Sequence, residues 1–123
     1  MMIAIRGAIT IAEDKPAEIK KAMDELIREI FSQNDISQAE IINIIFSSTA
    51  DIKSYYPARA FREMGYDDIP LFSCQEPEIE NSLELCIRVL IQVEKEKEIP
   101  VRHIYLGAAK NLRPDLVEEP TDE

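Results

Sequence analysis

Between residues 73 and 90 the chain reads S-C-Q-E-P-E-I-E-N-S-L-E-L-C-I-R-V-L. Two residues in it have side chains suited to chemistry and positions unusual for their type. Glu76 falls in a turn at the end of one apolar run, and Arg88 falls in the middle of another. A guanidinium cannot shed its proton, so on a half-buried surface it needs an anionic partner or water. The chemistry open to such residues is the gripping of an anion by fixed charge. The plainer alternative is a strand arginine at a solvated edge, or one paired with a glutamate for structure. A second arginine, Arg6, falls in another apolar strand pattern. Arg59 and Arg62 lie three apart and share the face of a short helix, which could equally be a solvated face. The single histidine, His103, reads as a structural or surface residue.

These residues need elements to position them. Residues 86–93 are mostly β-branched or apolar and contain neither Gly nor Pro, which predicts a strand. Alternation puts Ile87, Val89, Ile91 and Val93 on one face and Cys86, Arg88, Leu90 and Gln92 on the other. Residues 2–11 alternate likewise, with Ile3, Ile5, Ile9 and Ile11 opposite Ala4, Arg6 and Ala8. Asp14 is the expected cap of a helix that Pro16 opens and Asn34-Asp35 ends. Its apolar stripe (Ile19, Met23, Leu26, Ile27, Ile30, Phe31) should cover one face of a sheet. Ser37 is placed to cap one short turn. Residues 40–49 are apolar on both faces, as in a central strand. A polar loop over 51–56 leads to a short helix that starts near Pro57 and that Gly65 ends. Residues 69–73 and 101–106 predict two more strands, and 107–110 one helical turn. The order is β-α-β-α-β-β-β.

The expected fold class is therefore α+β, a mixed β-sheet with helices on one face. The uncovered face carries Arg6, Cys86, Arg88 and Leu90. It is too apolar to be fully wet and too charged for a monomer's core. Self-association through it in a closed ring is expected, with ligand sites at the subunit clefts.

The 123 residues suit one compact domain, and a composition 46% hydrophobic and 31% charged is that of a globular chain. No apolar run approaches the ~20 residues a membrane span needs. The start, M-M-I-A-I-R-G, lacks a basic leader and a cleavage site, so a cytoplasmic location is expected. Cys74 and Cys86 are unpatterned and expected to be reduced thiols. With one histidine and no cysteine cluster, no metal or other cofactor is expected. The net charge of −10 argues against nucleic acid and anionic membrane surfaces as partners. Asp115, Glu118, Glu119, Asp122 and Glu123 crowd the last nine residues as a solvated tail. An acidic protein that keeps arginines on its strands suggests a small anionic ligand held by local charge.

Five segments in order carry a resemblance. They are I-R-G-A near the start, Y-P-A-R-A-F-R-E in the middle, C-Q-E followed twelve residues later by C-I-R-V-L, then R-H-I-Y-L and L-R-P-D-L. Together they resemble the monofunctional chorismate mutases of the AroH (Bacillus) type, over residues 1–116, with 117–123 left as the acidic tail. The resemblance implies a trimeric pseudo-α/β-barrel with three interfacial active sites. It implies conversion of the dianion chorismate to prephenate, on the route to phenylalanine and tyrosine. By position, Arg6 resembles the arginine that grips a substrate carboxylate, and Glu76 the carboxylate that accepts the ring hydroxyl. Arg88 matches the cation beside the breaking ether oxygen, and Tyr105 the phenol near the side-chain carboxylate. Tyr56, Ala58, Arg59 and Arg62 would come from the neighbouring subunit, Leu71, Phe72 and Ser73 would line the pocket, and Leu112 and Arg113 would come from a C-terminal lid. The chain departs from the family pattern at four of these positions. Ser73 stands where a cysteine is expected and Phe72 where a small polar residue is. Tyr56 replaces a common phenylalanine and Arg59 a common lysine.

The chemistry implied suits these residues. An intramolecular pericyclic rearrangement needs no nucleophile, no proton transfer and no metal. The substrate must be held in a compact chair-like pose. The ether oxygen gains negative charge as its bond breaks, so a fixed cation there stabilises the transition state more than the ground state. Two other classes stay open on the residues alone. One is a trimeric reactive-intermediate deaminase with arginines in interfacial clefts. The other is a non-catalytic sensor of anionic metabolites.

Overall fold

A computed structural model describes residues 1–116. Five strands form one sheet: β1 (Met2–Thr10), β2 (Ile41–Ser48), β3 (Leu71–Gln75), β4 (Cys86–Glu94) and β5 (Ile104–Leu106). Two helices accompany them, α1 (Pro16–Gln33) and α2 (Pro57–Arg62). The spatial order is β3-β2-β4-β1-β5. The central β4 runs antiparallel to both neighbours, while the edge pairs β2–β3 and β1–β5 are parallel. The sheet is thus mixed, in line with the expected fold class, and the element order matches the one read from the patterning. The expected acidic tail, 117–123, lies outside the described residues.

Alternation decides which face is core. Ile87, Ile91 and Val93 of β4 are fully buried, as is Ile5 of β1. They meet α1, whose Ile19, Met23, Leu26, Ile27 and Ile30 are also fully buried. Each such side chain contributes about 1.5–3 kcal/mol on leaving water. Gly7 lets α1 approach closely, since a Cβ there would lie 2.8 Å from Ile30 Cδ1. A stack of Phe31, Tyr66 and Phe61, with centroids 5.7 and 4.6 Å apart, joins α1 to α2. Phe61 in turn meets Phe46 of β2 at 5.8 Å.

The ends of α1 differ from expectation at one side only. Lys15, not Asp14, is the N-cap, and no side chain caps it. Asp14 instead accepts from the backbone N–H groups of Lys53 and Ser54 and from the Ser54 hydroxyl. Those bonds hold its carboxyl below the usual range. A loop forty residues away outcompetes the local cap. At the other end Asn34 is the C-cap, as expected, and Ser37 closes a capping box with Glu40.

Strand β5 is shorter than residues 101–106, and the reason is visible. The buried Asn34 amide takes both backbone groups of Arg102: Oδ1 accepts its N–H at 2.9 Å and Nδ2 donates to its C=O at 2.9 Å. The N–H of Arg6 on β1 is taken by the His103 ring at 2.9 Å. Side chains thus replace the ladder until Ile104.

Candidate active site

Both helices lie on one side of the sheet. On the other side Cys74, Ser47, Arg88, Ala8 and Tyr105 stand in one transverse row. The next row on that face is Phe72, Ile45, Leu90 and Arg6. Arg88 is flanked by two small residues, Ser47 and Ala8, so its long side chain can lie along the sheet. It remains 43% exposed. Its Nε is buried without a hydrogen bond and stands 3.4 Å from Oε2 of Glu76. At that length the attraction is coulombic rather than a good N–H···O bond.

Glu76 follows β3 and is fixed twice by β2. Its backbone N–H donates to the Ser48 carbonyl at 2.8 Å, and its Oε2 accepts from the Ser47 hydroxyl at 2.5 Å. The carboxylate side chain is only 18% exposed. The start of β4 is anchored by a second small network. Thr49 Oγ1 donates to Asp51 and accepts from the Cys86 N–H, while the Asp51 carboxylate accepts from the Leu85 N–H. Leu85 is held there at φ 50°, a left-handed backbone that leucine rarely adopts.

One corner of this face is covered. Ala8, Cys86, Tyr105 and Ala109 form a small buried cluster, with Leu83 and Leu112 packed on it. The Cys86 thiol is pushed up by burial, against the pull of the adjacent Arg88 guanidinium. A 3₁₀ turn over Gly107–Asn111 makes the cover and leads to Leu112 and Arg113. Arg113 forms a two-pronged pair with Asp115, at 3.1 and 2.9 Å, which raises the arginine and lowers the acid. Arg6, His103, Tyr105 and Arg113 are close enough to act on one another electrostatically.

The remaining expected residues form a separate group. Tyr56, Ala58, Arg59, Arg62, Leu71 and Ser73 line a cavity of about 520 Å³ beside α2. Leu71 and Ser73 pair with Ile44 and Phe46, whose side chains are in the core, so this group lies on the helix side of β3. Arg59 pairs with Glu63 at 3.3 Å and sits 5.2 Å from the Tyr55 ring. Tyr56 is 69% exposed. Phe72, 68% exposed, falls instead on the open face, in the row of Ile45, Leu90 and Arg6, and not on the cavity beside α2. One chain therefore places Arg6, Glu76, Arg88 and Tyr105 on one side of the sheet and the α2 group on the other. The contacts of Ser47, Thr49 and Asp51 were not legible in the sequence, because they form only with β2 laid between β3 and β4.

A mixed α+β sheet with cations and one restrained carboxylate on its open face defines an anion-handling protein. The comparisons make the class specific. The chorismate mutase type I family model matches residues 2–116. Chorismate mutase AroH of Thermus thermophilus is 42% identical over 118 residues, covering 94% of this chain and 97% of that protein. Chorismate mutase AroH of Bacillus subtilis is 33% identical over 118 residues, covering 94% and 93%. A solved chorismate mutase from Clostridium thermocellum superposes with a TM-score of 0.84 at 36% identity, covering 89% of this chain and 98% of that one. The chain belongs to the chorismate mutase type I family. It is an isomerase, and its reaction is the rearrangement of chorismate to prephenate.

Proposed function

We propose that chorismate binds between two copies of this chain, in a trimeric pseudo-α/β-barrel with three such sites. The carrying observation is the division of the expected residues between opposite sides of one sheet, Arg88 and Glu76 on the open face and Arg59 and Arg62 beside α2. Neither group makes a complete site, and a second copy supplies what each lacks. The open face also has the composition of a surface awaiting a partner, with Ile45, Leu90 and Phe72 in one row beside Arg6.

In this reading Arg88 faces the ether oxygen, Glu76 accepts the ring hydroxyl, Arg6 grips one carboxylate and Tyr105 stands near the other. From the neighbouring copy, Tyr56, Ala58, Arg59, Arg62, Leu71 and Ser73 line the opposite wall. Phe72 lies at the join of the two copies. Leu112 and Arg113 close over the ligand. Arg88 does the electrostatic work. Its charge is permanent and its strand is central. The substrate pose supplies the rest, as a restrained chair removes conformational entropy before the bond breaks. Residues 1–116 act as one domain in this reading. The protein works in the cytoplasm, where the free thiols Cys74 and Cys86 are stable. No helix among the described residues is long and apolar enough to cross a membrane.

Subunit mixing tests the proposal. Arg88→Ala and Arg62→Ala proteins are each made, then unfolded, mixed and refolded. A shared site predicts that mixed trimers regain activity that neither variant has alone, because some clefts then hold both wild-type residues. No regain in co-assembled trimers places both arginines in one chain's site and ends the proposal.

A further inference from the structure

Ser47 has no role in the reaction as described so far, yet it makes the shortest contact to the carboxylate that does. It stands on β2 directly across from Arg88 and on the same open face. Its hydroxyl donates to Glu76 Oε2 at 2.5 Å, at the short end for an O–H···O⁻ bond. Arg88 Nε approaches that same oxygen at 3.4 Å and makes no hydrogen bond to it. The next residue, Ser48, fixes the Glu76 backbone through its carbonyl. Consecutive residues of one central strand thus set both the position and the rotation of Glu76.

We propose that Ser47 is a positioning residue that divides the labour of the two Glu76 oxygens. It rests on the reading of Glu76 as the acceptor of the substrate's ring hydroxyl. A free carboxylate beside a guanidinium turns to pair with it through two parallel bonds. Such a pair would saturate Arg88 and take from the ether oxygen the charge it needs. With Oε2 held by Ser47, that closure does not form. Oε1 is left for the substrate hydroxyl, and the Arg88 guanidinium keeps its outer N–H groups for the ether oxygen. A hydroxyl has a single proton to give, so the direction of this bond is fixed once it is made to a carboxylate.

The test is a double-mutant cycle in the full-length assembled enzyme, with fold checked by circular dichroism and size by light scattering. Wild type, Ser47→Ala, Ser47→Thr, Glu76→Gln and Ser47→Ala/Glu76→Gln are compared for kcat and KM on chorismate. Ser47→Ala should lower kcat about 10- to 100-fold, the value of a hydrogen bond to a charged group, with a smaller change in KM. Ser47→Thr, which keeps the hydroxyl, should restore kcat to within about fivefold of wild type. On the Glu76→Gln background, Ser47→Ala should change kcat less than about twofold, because the two act as one unit. Where turnover is too slow to measure, the cycle is read on calorimetric affinity for prephenate, which keeps the ring hydroxyl. If Ser47→Ala proves unstable, the nearly isosteric Ser47→Cys, a weak donor, replaces it. A folded Ser47→Ala enzyme with wild-type kcat overturns the inference alone. So does a loss of equal size with and without Glu76. Wild-type kcat in Glu76→Gln removes the Glu76 reading, and this inference with it.

Discussion

The backbone N–H of Arg6 donates to Nδ1 of His103 at 2.9 Å. The bond joins the middle of β1 to the segment entering β5, and it fixes the neutral ring with its proton on Nε2. Burial first, then the nearby Arg6 and Arg113 charges, lowers the ring's pKa from the ordinary 6.5. The unfolded chain therefore takes up a proton near pH 6.5 that the folded chain refuses until a lower pH. Stability should be unaffected by this group above 6.5 and should fall as pH drops through the window below it, then level off. Thermal unfolding of wild type and His103→Gln from pH 7.5 to 5 checks this. Wild type should show the extra acid-side loss, and His103→Gln, which cannot titrate, should not. Parallel curves for the two proteins would remove His103 as the cause.

Arg88 has the most direct consequence for turnover. Arg88→Ala should lower kcat by about 10²–10³ or more, the range for losing one aimed transition-state donor. Its side chain is 43% exposed and Nε has no hydrogen bond; the truncation removes the cation beside Glu76, whose carboxylate keeps the Ser47 hydroxyl. The secondary structure and the assembly state should persist. Arg88→Lys should recover only part of the rate, because an ammonium lacks the planar fork. Stopped assays of chorismate loss, alongside circular dichroism, measure both. A near-normal kcat in a folded Arg88→Ala enzyme contradicts the assignment.

Asn34 is the one buried polar residue of the described core, at 6% exposure. Its amide serves Ile30 C=O at the end of α1 and both backbone groups of Arg102. Asn34→Ala should cost about 2–3 kcal/mol, since buried backbone groups lose partners that water cannot fully replace. Denaturant unfolding at fixed protein concentration is the measurement, because assembly makes stability concentration-dependent. Asn34→Asp should be less harmful at the Arg102 N–H than at the two carbonyls, which need a donor.

Much of this fold was legible in the sequence because its strands are two-faced. Arg88 could be assigned to the open face because Ile87, Val89, Ile91 and Val93 leave no other choice of register. Asn34 and Ser37 could be read as boundaries because caps are local. Asp14 could not, because its partners, Lys53 and Ser54, are some forty residues away in sequence. The same reason hid Ser47. Its link to Glu76 spans 29 residues and depends on β2 lying between β3 and β4, an order that no hydrophobic period encodes. Leu85 was hidden differently. A leucine at φ 50° breaks a local rule, and only the Asp51 carboxylate on its N–H and the Ile11 N–H on its carbonyl show what holds it.

Gly107 and Gly65 provide a matched pair for the covered corner. Both have positive φ, 62° and 106°, so an alanine strains the backbone at either. They differ in surroundings. A Cβ on Gly65 meets nothing within 4 Å, whereas one on Gly107 lies 2.7 Å from Thr10 Oγ1. That oxygen accepts the Ala108 N–H at 3.0 Å and so pins the 3₁₀ turn to β1. The turn carries the fully buried Ala109, which shares a cluster with Cys86 and Tyr105, and Leu112 packs on the same cluster. Gly65→Ala should therefore cost about 1–2 kcal/mol of stability and leave KM unchanged. Gly107→Ala should cost at least as much and also raise KM several-fold, because Leu112 and Arg113 shift with the turn. Unfolding curves and KM measured on the same preparations separate the two effects. An unchanged KM in Gly107→Ala, with the expected loss of stability, would detach the C-terminal segment from substrate binding.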